Sequence, residues 1–224
     1  MALAAADVAA RLSVVRERIA RAGGAPEQVT VVAVTKGHGA DAARTALAAG
    51  LVDVGENYAA DLLATRAATV GEEVTCRWHF LGHVQRNKVR AIAAAVDIWQ
   101  AVDRLAAGTE ISRRAPGAEV LVQVNVSGEA QRNGCDPDEA RALVDDLVGL
   151  GLDVRGLMAV GPAPPQDARP AFRLLAALAD RLGLPVRSMG MSDDLEAAVS
   201  EGSTMVRVGR ALFGPRDGGD DLRR

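Results

Sequence analysis

The sequence predicts a closed (β/α)8 barrel, and three observations carry that expectation. Apolar, β-branched runs alternate with amphipathic stretches along the chain, the pattern of parallel strands joined by crossover helices. Eight such strand–helix units fit into 224 residues, slightly fewer than the ~250 usual for a single closed barrel. No linker, low-complexity segment or marked shift of composition divides the chain. Residues 1–224 therefore read as one barrel domain, with its core at about 25–215 and an additional helix in front. A doubly wound open sheet is the competing arrangement.

The opening stretch "MALAAADVAARLSVVRERIA" places Val8, Leu12, Val15 and Ile19 on one helical face. Charged residues from Asp7 onward interrupt it, so it reads as an amphipathic helix and not as a signal peptide. Residues 29–35 read as the first strand, and 40–50 as a helix ended by Gly50. "VDVGEN" is a short strand with its turn, and "YAADLLATRAATV" is helical. "RWHFLG" and "VQRNKVRAIAAAV" form the third unit, and "DIWQAV" with a helix over 103–114 forms the fourth. "AEVLVQVNVSG" is the clearest strand, followed by a helix from Pro137 with Asp136 as N-cap. "DVRGLMAVG" precedes a Pro-rich loop at 162–170 and a helix running to Gly183. "PVRSMG" leads to a helix capped by Ser192, with acids in its first turn and Gly202 at its end. "STMVRVG" is the last strand and "RALFG" the last short helix.

Composition narrows the function. The chain is 49% hydrophobic and 25% charged with a net charge of −3, so no basic field invites nucleic acid. Aromatic residues make up only 3%, which leaves few platforms for stacking bases. No apolar run approaches a membrane span. The two cysteines, Cys76 and Cys135, resemble neither a disulfide framework nor a zinc site and read as reduced thiols in a cytoplasmic protein.

In a barrel, chemistry collects at the C-terminal ends of the strands. That set includes Lys36, Gly55, Glu56, Asn57, His79, Asn125, Met158, residues 188–192 and residues 207–210. A partly desolvated lysine favours its neutral amine, which can condense with an aldehyde. The loops after strands seven and eight, "SMGMS" and "VGR", are where barrels often hold phosphate. Ser192 supplies a hydroxyl there, and Gly190 and Gly209 admit close backbone approach. Asp193 and Asp194 would repel an anion and are expected to point outward and charge the helix terminus. Alternation in "TMVRVG" sends Met205 and Arg207 into the barrel and turns Val206 and Val208 toward the helices. An inward arginine needs a partner, either a salt bridge or the pyridine nitrogen of pyridoxal phosphate. His79 reads equally as a proton shuttle or a satisfied core residue, and Asn57 as a ligand contact or a cap. Arg86, Lys88 and Arg90 read as a solvated helix face.

These residues resemble one family. "VAVTK" (32–36), "DVGENY" (53–58), "WHFLG" with "QRNK" (78–88), "VQVNVSGE" (122–129), "RGLMAV" (155–160) and "SMGMSDDLEAAVSEGSTMVRVGRALFG" (188–214) are similar to the pyridoxal phosphate homeostasis protein family, itself similar to the barrel domain of alanine racemase. The resemblance implies pyridoxal 5′-phosphate held as an aldimine on Lys36. By their places at the strand ends, Asn57, His79, Met158 and Ser188 are expected to belong to the same cofactor site. Phosphate contacts would lie around Ser192, Gly209 and Arg210, with Arg207 near the pyridine nitrogen. The resemblance further implies a role in vitamin B6 supply, with apo-forms of cofactor-dependent enzymes as partners and a monomeric state. Two departures stand out: Gly37, His38 and Gly39 occupy a loop where the family commonly has a proline, and Arg210 replaces a small residue.

Two other functions share the same residues. A racemase needs a second acid/base opposite the lysine, and the single tyrosine, Tyr58, lies just after the second strand. A cofactor-free lysine aldolase would use the same amine and phosphate site.

Overall fold

A computed structural model describes residues 4–69, 71, 76–129, 131–163 and 168–215. Eight parallel strands close into a barrel in sequence order. The strands are β1 (Thr30–Val34), β2 (Asp53–Glu56), β3 (Arg77–Phe80), β4 (Ile98–Val102), β5 (Glu119–Gln123), β6 (Asp153–Met158), β7 (Val186–Ser188) and β8 (Met205–Val208). Closure is made by β1 against β8, with Val32 opposite Arg207 and Ala33 opposite Val208. The open-sheet alternative is thereby excluded.

Helix α1 (Ala5–Arg21) precedes the barrel, and its four predicted face residues, Val8, Leu12, Val15 and Ile19, are all buried. They pack with Val31, Ala33, Val206 and Val208, the outward-facing residues of β1 and β8. That contact settles the parity of both strands. The crossover helices are α2 (Gly39–Ala48), α3 (Ala59–Ala68), α4 (Arg86–Ile92), α5 (Leu105–Arg114), α6 (Ala140–Gly149), α7 (Ala168–Leu182) and α8 (Leu195–Ser200), and α9 (Arg210–Phe213) follows β8. Arg86, Lys88 and Arg90 are exposed on α4, as a solvated face requires.

Several element boundaries differ from expectation for local reasons. The long apolar run 118–128 is ladder only as far as Gln123, because the Cys135 N–H donates to the Gln123 carbonyl and the Asn125 N–H to the Cys135 carbonyl. Helix α6 starts at Ala140 rather than at Pro137, and Asp136 does not cap it. Instead the Asp136 carbonyl accepts the Glu139 N–H in a preceding turn. Helix α4 tightens into a 3-10 turn over Ala93–Ala95. Residues 164–167 of the Pro-rich loop lie outside the described residues.

Two glycines test the packing in opposite directions. A Cβ on Gly156 would sit 2.0 Å from the Val186 carbonyl oxygen, while one on Gly149 meets nothing within 4 Å. Backbone cannot yield as a side chain does, so Gly156→Ala should destabilise by about 1–3 kcal/mol. Gly149→Ala in α6 should instead stabilise by roughly 0.5 kcal/mol through lower unfolded-chain entropy. Urea midpoints at unchanged slope measure both.

Candidate functional site

One mouth of the barrel opens into a cavity of about 650 Å³. Its lining includes Lys36, Asn57, Met158, Ser192, Arg207, Gly209 and Arg210, seven of the nine residues singled out in the sequence. Lys36 lies two residues beyond Val34, on the inward parity of β1. The loop after it also contributes: His38 lines the cavity and its ring packs against Phe213 at 5.4 Å.

Arg207 is 5% exposed and points inward, as alternation predicts. Its Nη1 donates to the Ser188 carbonyl at 2.6 Å and to Ser188 Oγ at 2.8 Å, and its Nη2 to the Ala159 carbonyl at 2.7 Å. All three acceptors are uncharged oxygens, so the expected salt-bridge alternative is not what holds it. Burial pushes the Arg207 guanidinium down to about 10, with the Asp194 charge acting against that shift. It remains a cation at neutral pH.

The two loops beside Arg207 form one cradle. Ser192 does not cap α8, which begins only at Leu195. Its Oγ instead accepts the Ala211 N–H at 3.2 Å, tying the β7 loop to α9. Its own hydroxyl proton is left to donate. Arg18 on α1 braces the same loop, donating to the Ser192 carbonyl at 2.9 Å and to both Glu196 carboxylate oxygens. The expectation that Asp193 and Asp194 point away fails. Asp194 is 5% exposed and lines the cavity, and its Oδ1 accepts the Met191 N–H at 2.5 Å. The buried Arg207 cation beside it compensates the buried carboxylate. Asp193 stays exposed yet turns across the cradle to pair with Arg210.

His79 and Ser188 do not reach the mouth. Both are 0% exposed inside the barrel. His79 Nε2 is 2.9 Å from Asp53 Oδ1, and its Nδ1 is 2.6 Å from Gln100 Nε2. Ser188 Oγ donates to Gln100 Oε1 at 2.6 Å. Asn125 turns aside, its Nδ2 donating to the Glu129 carbonyl. Asn57 Oδ1 is buried without a hydrogen-bond partner. A buried acceptor of that kind costs free energy unless a ligand or water donates to it.

Sequence reasoning missed Glu56 as a titrating group. It faces α3 rather than the mouth, and its Oε1 accepts from Thr35 Oγ1 at 2.6 Å and Thr65 Oγ1 at 3.3 Å. Burial pushes its carboxyl up to about 7, against the lowering effect of the threonine bonds. The glutamate inside "DVGENY" was the available signal.

The chain matches the family described as alanine racemase, N-terminal domain, over residues 6–217. It is 43% identical to a pyridoxal phosphate homeostasis protein of Pseudomonas aeruginosa, an alignment covering 96% of this chain and 95% of that one. Among solved structures, it resembles PipY of Synechococcus elongatus at 32% identity. The match to PipY without PLP has a TM-score of 0.82 and covers 92% of this chain and 100% of that one. The match to PipY with PLP bound has a TM-score of 0.77 and covers 89% and 100%. An alanine racemase of Corynebacterium glutamicum shares the fold at 19% identity and TM-score 0.72, over 95% of this chain and 62% of that one.

Glu56 gives a pH dependence whose sign is fixed. A carboxyl raised in the folded state binds more protons folded than unfolded between about 4.5 and 7. Its stabilisation is therefore present at low pH and lost as pH rises through about 7. Glu56→Gln should abolish that loss and be the more stable protein at pH 8, by up to about 3 kcal/mol. Urea midpoints of both proteins at pH 5.5 and 8 check it.

Proposed function

The chain belongs to the pyridoxal phosphate homeostasis protein family, and on that premise we propose that it binds pyridoxal 5′-phosphate reversibly and takes part in the supply of this cofactor within the cytoplasm. The observation that carries the reading is Arg207, a buried cation held by neutral oxygens in the same cavity as Lys36. PipY, the PLP-bound structural relative, supports the same ligand.

The residues fit the group. Asn57 Oδ1 is a buried acceptor without a partner at the cavity wall. Gly209 brings the backbone close, since a Cβ there would lie 3.1 Å from the Val34 carbonyl oxygen. The cofactor supplies an aldehyde carbon, the electrophile that a lysine amine can hold. Lys36 is the amine at the mouth. Arg207 donates hydrogen bonds and cannot accept one, so it suits an unprotonated pyridine nitrogen and keeps that ring a weak electron sink. Ser192 offers its hydroxyl proton to phosphate, and Arg210 can turn from Asp193 to the anion. His79 and Ser188 serve the site from beneath through Arg207 rather than by touching the ligand.

We read a holder of the cofactor in preference to a racemase. Tyr58 is 41% exposed and does not belong to the cavity lining. The two cysteines are unpaired thiols, which agrees with a reducing compartment. The whole of 1–224 is read as one functional domain, acting as a monomer toward apo-forms of cofactor-dependent enzymes.

Titration with pyridoxal 5′-phosphate should produce the near-visible absorption band of an amine-bound aldehyde. Lys36→Ala should abolish that band, and Ser192→Ala should weaken affinity about fivefold, the worth of one hydrogen bond. A wild-type protein that gains no band overturns the reading.

A further inference from the structure

A line of buried polar groups runs through the barrel interior from its floor to Arg207. At the floor, Arg77 pairs with Asp53 Oδ1 at 2.7 Å. Asp53 meets His79, His79 meets Gln100, Gln100 meets Ser188, and Ser188 meets Arg207, at 2.9, 2.6, 2.6 and 2.8 Å. His79, Gln100 and Ser188 are 0% exposed, and Asp53 is 6% exposed. A polar chain inside a barrel core is costly unless every member is satisfied.

With a neutral His79 imidazole, the donors and acceptors along this line fit in one direction only. Arginine can only donate, so Ser188 Oγ accepts from Arg207 and gives its proton to Gln100 Oε1. The Gln100 amide then has two N–H donors, and both are used: one on His79 Nδ1, the other on Met205 Sδ at 3.2 Å. His79 Nδ1 is therefore an acceptor, which puts the ring proton on Nε2, facing the Asp53 carboxylate. Reversing any one group would set two donors or two acceptors face to face.

We propose that Gln100, His79 and Asp53 are positioning residues for Arg207: through Ser188 they fix where its guanidinium sits in the mouth. None of the three lines the cavity. The inference rests on reading that mouth as a pyridoxal 5′-phosphate site, and it adds that the ligand's ring environment is set from the barrel floor. Ser188 holds Arg207 with its carbonyl as well as its hydroxyl. Losing the line should therefore shift the guanidinium rather than release it.

The test compares Gln100→Met with Gln100→Glu. Methionine keeps the length and removes all three hydrogen bonds of the Gln100 amide. Glutamate keeps the acceptor for Ser188 and removes only the amide's donors. Both proteins and wild type are titrated with pyridoxal 5′-phosphate, reading dissociation constant and band position, with thermal unfolding alongside. Gln100→Met should move the bound band and weaken binding about fivefold, the worth of one buried hydrogen bond. Gln100→Glu should restore band and affinity to near wild type. A Gln100→Met protein with a lower melting temperature but wild-type band and affinity overturns the proposal. So does Gln100→Glu behaving like Gln100→Met. If Gln100→Met does not fold, Asp53→Asn takes its place. It removes the charge that faces His79 Nε2–H and should move the band, and an unmoved band and affinity overturn the proposal. A wild-type protein without any band instead overturns the proposed function, and the two failures are distinct.

Discussion

The structure depends on one buried cation. Arg207 sits 5% exposed at the upper end of the polar line inside the barrel. Taking a guanidinium out of water is expensive, and the fall of its pKa to about 10 records that expense. Two carbonyls and a hydroxyl accept its hydrogen bonds. The Ala159 carbonyl lies just past the end of β6, and the Ser188 carbonyl, which also accepts the Ala159 N–H, uses its second lone pair for Arg207. The strand ends that build the mouth thus also tolerate the cation.

Barrel closure brings the remaining chemistry to that charge. The β1–β8 register sets Val32 beside Arg207 and Ala33 beside Val208, so Lys36 and Gly209 leave adjacent strands at one rim. They are separated by most of the chain in sequence. The register is held from outside by α1, whose apolar face covers β1 and β8, and whose Arg18 reaches the Ser192 loop. The additional helix is part of the support of the site and more than an appendage to the barrel.

The strand–helix order, the buried face of α1 and the inward parity of Arg207 were all legible in the sequence, because each follows from a local period of 3.6 or 2. Seven of nine proposed site residues lie on one cavity for the same reason: strand ends of a barrel converge. Features set by long-range partners were not legible. Asp194 turns inward because Arg207 lies beside it, across a loop and a strand. The β5 ladder ends early because Cys135 competes for its backbone groups. Gln100 had a visible signal, an amide in the apolar run "DIWQAV", but its purpose appears only once Ser188 and His79 flank it.

Two acids in a proposed phosphate cradle look self-defeating until their charges are traced. Asp194 is engaged by the Met191 N–H and faces Arg207, and Asp193 is engaged by Arg210. Arg132, also on the cavity wall, is answered by Glu129 at 3.2 Å. An anion entering this mouth therefore meets cations that already have partners, and under the proposed function Arg210 exchanges Asp193 for phosphate. Both members of that pair are more than half exposed, and such pairs are worth only about 0–1 kcal/mol. The exchange costs little in either direction. A site that must both take up and give back its ligand is better served by such a pair than by a buried, permanently committed one. In the proposed phosphate-binding mode Arg210 changes partner while Arg207 keeps its three neutral acceptors.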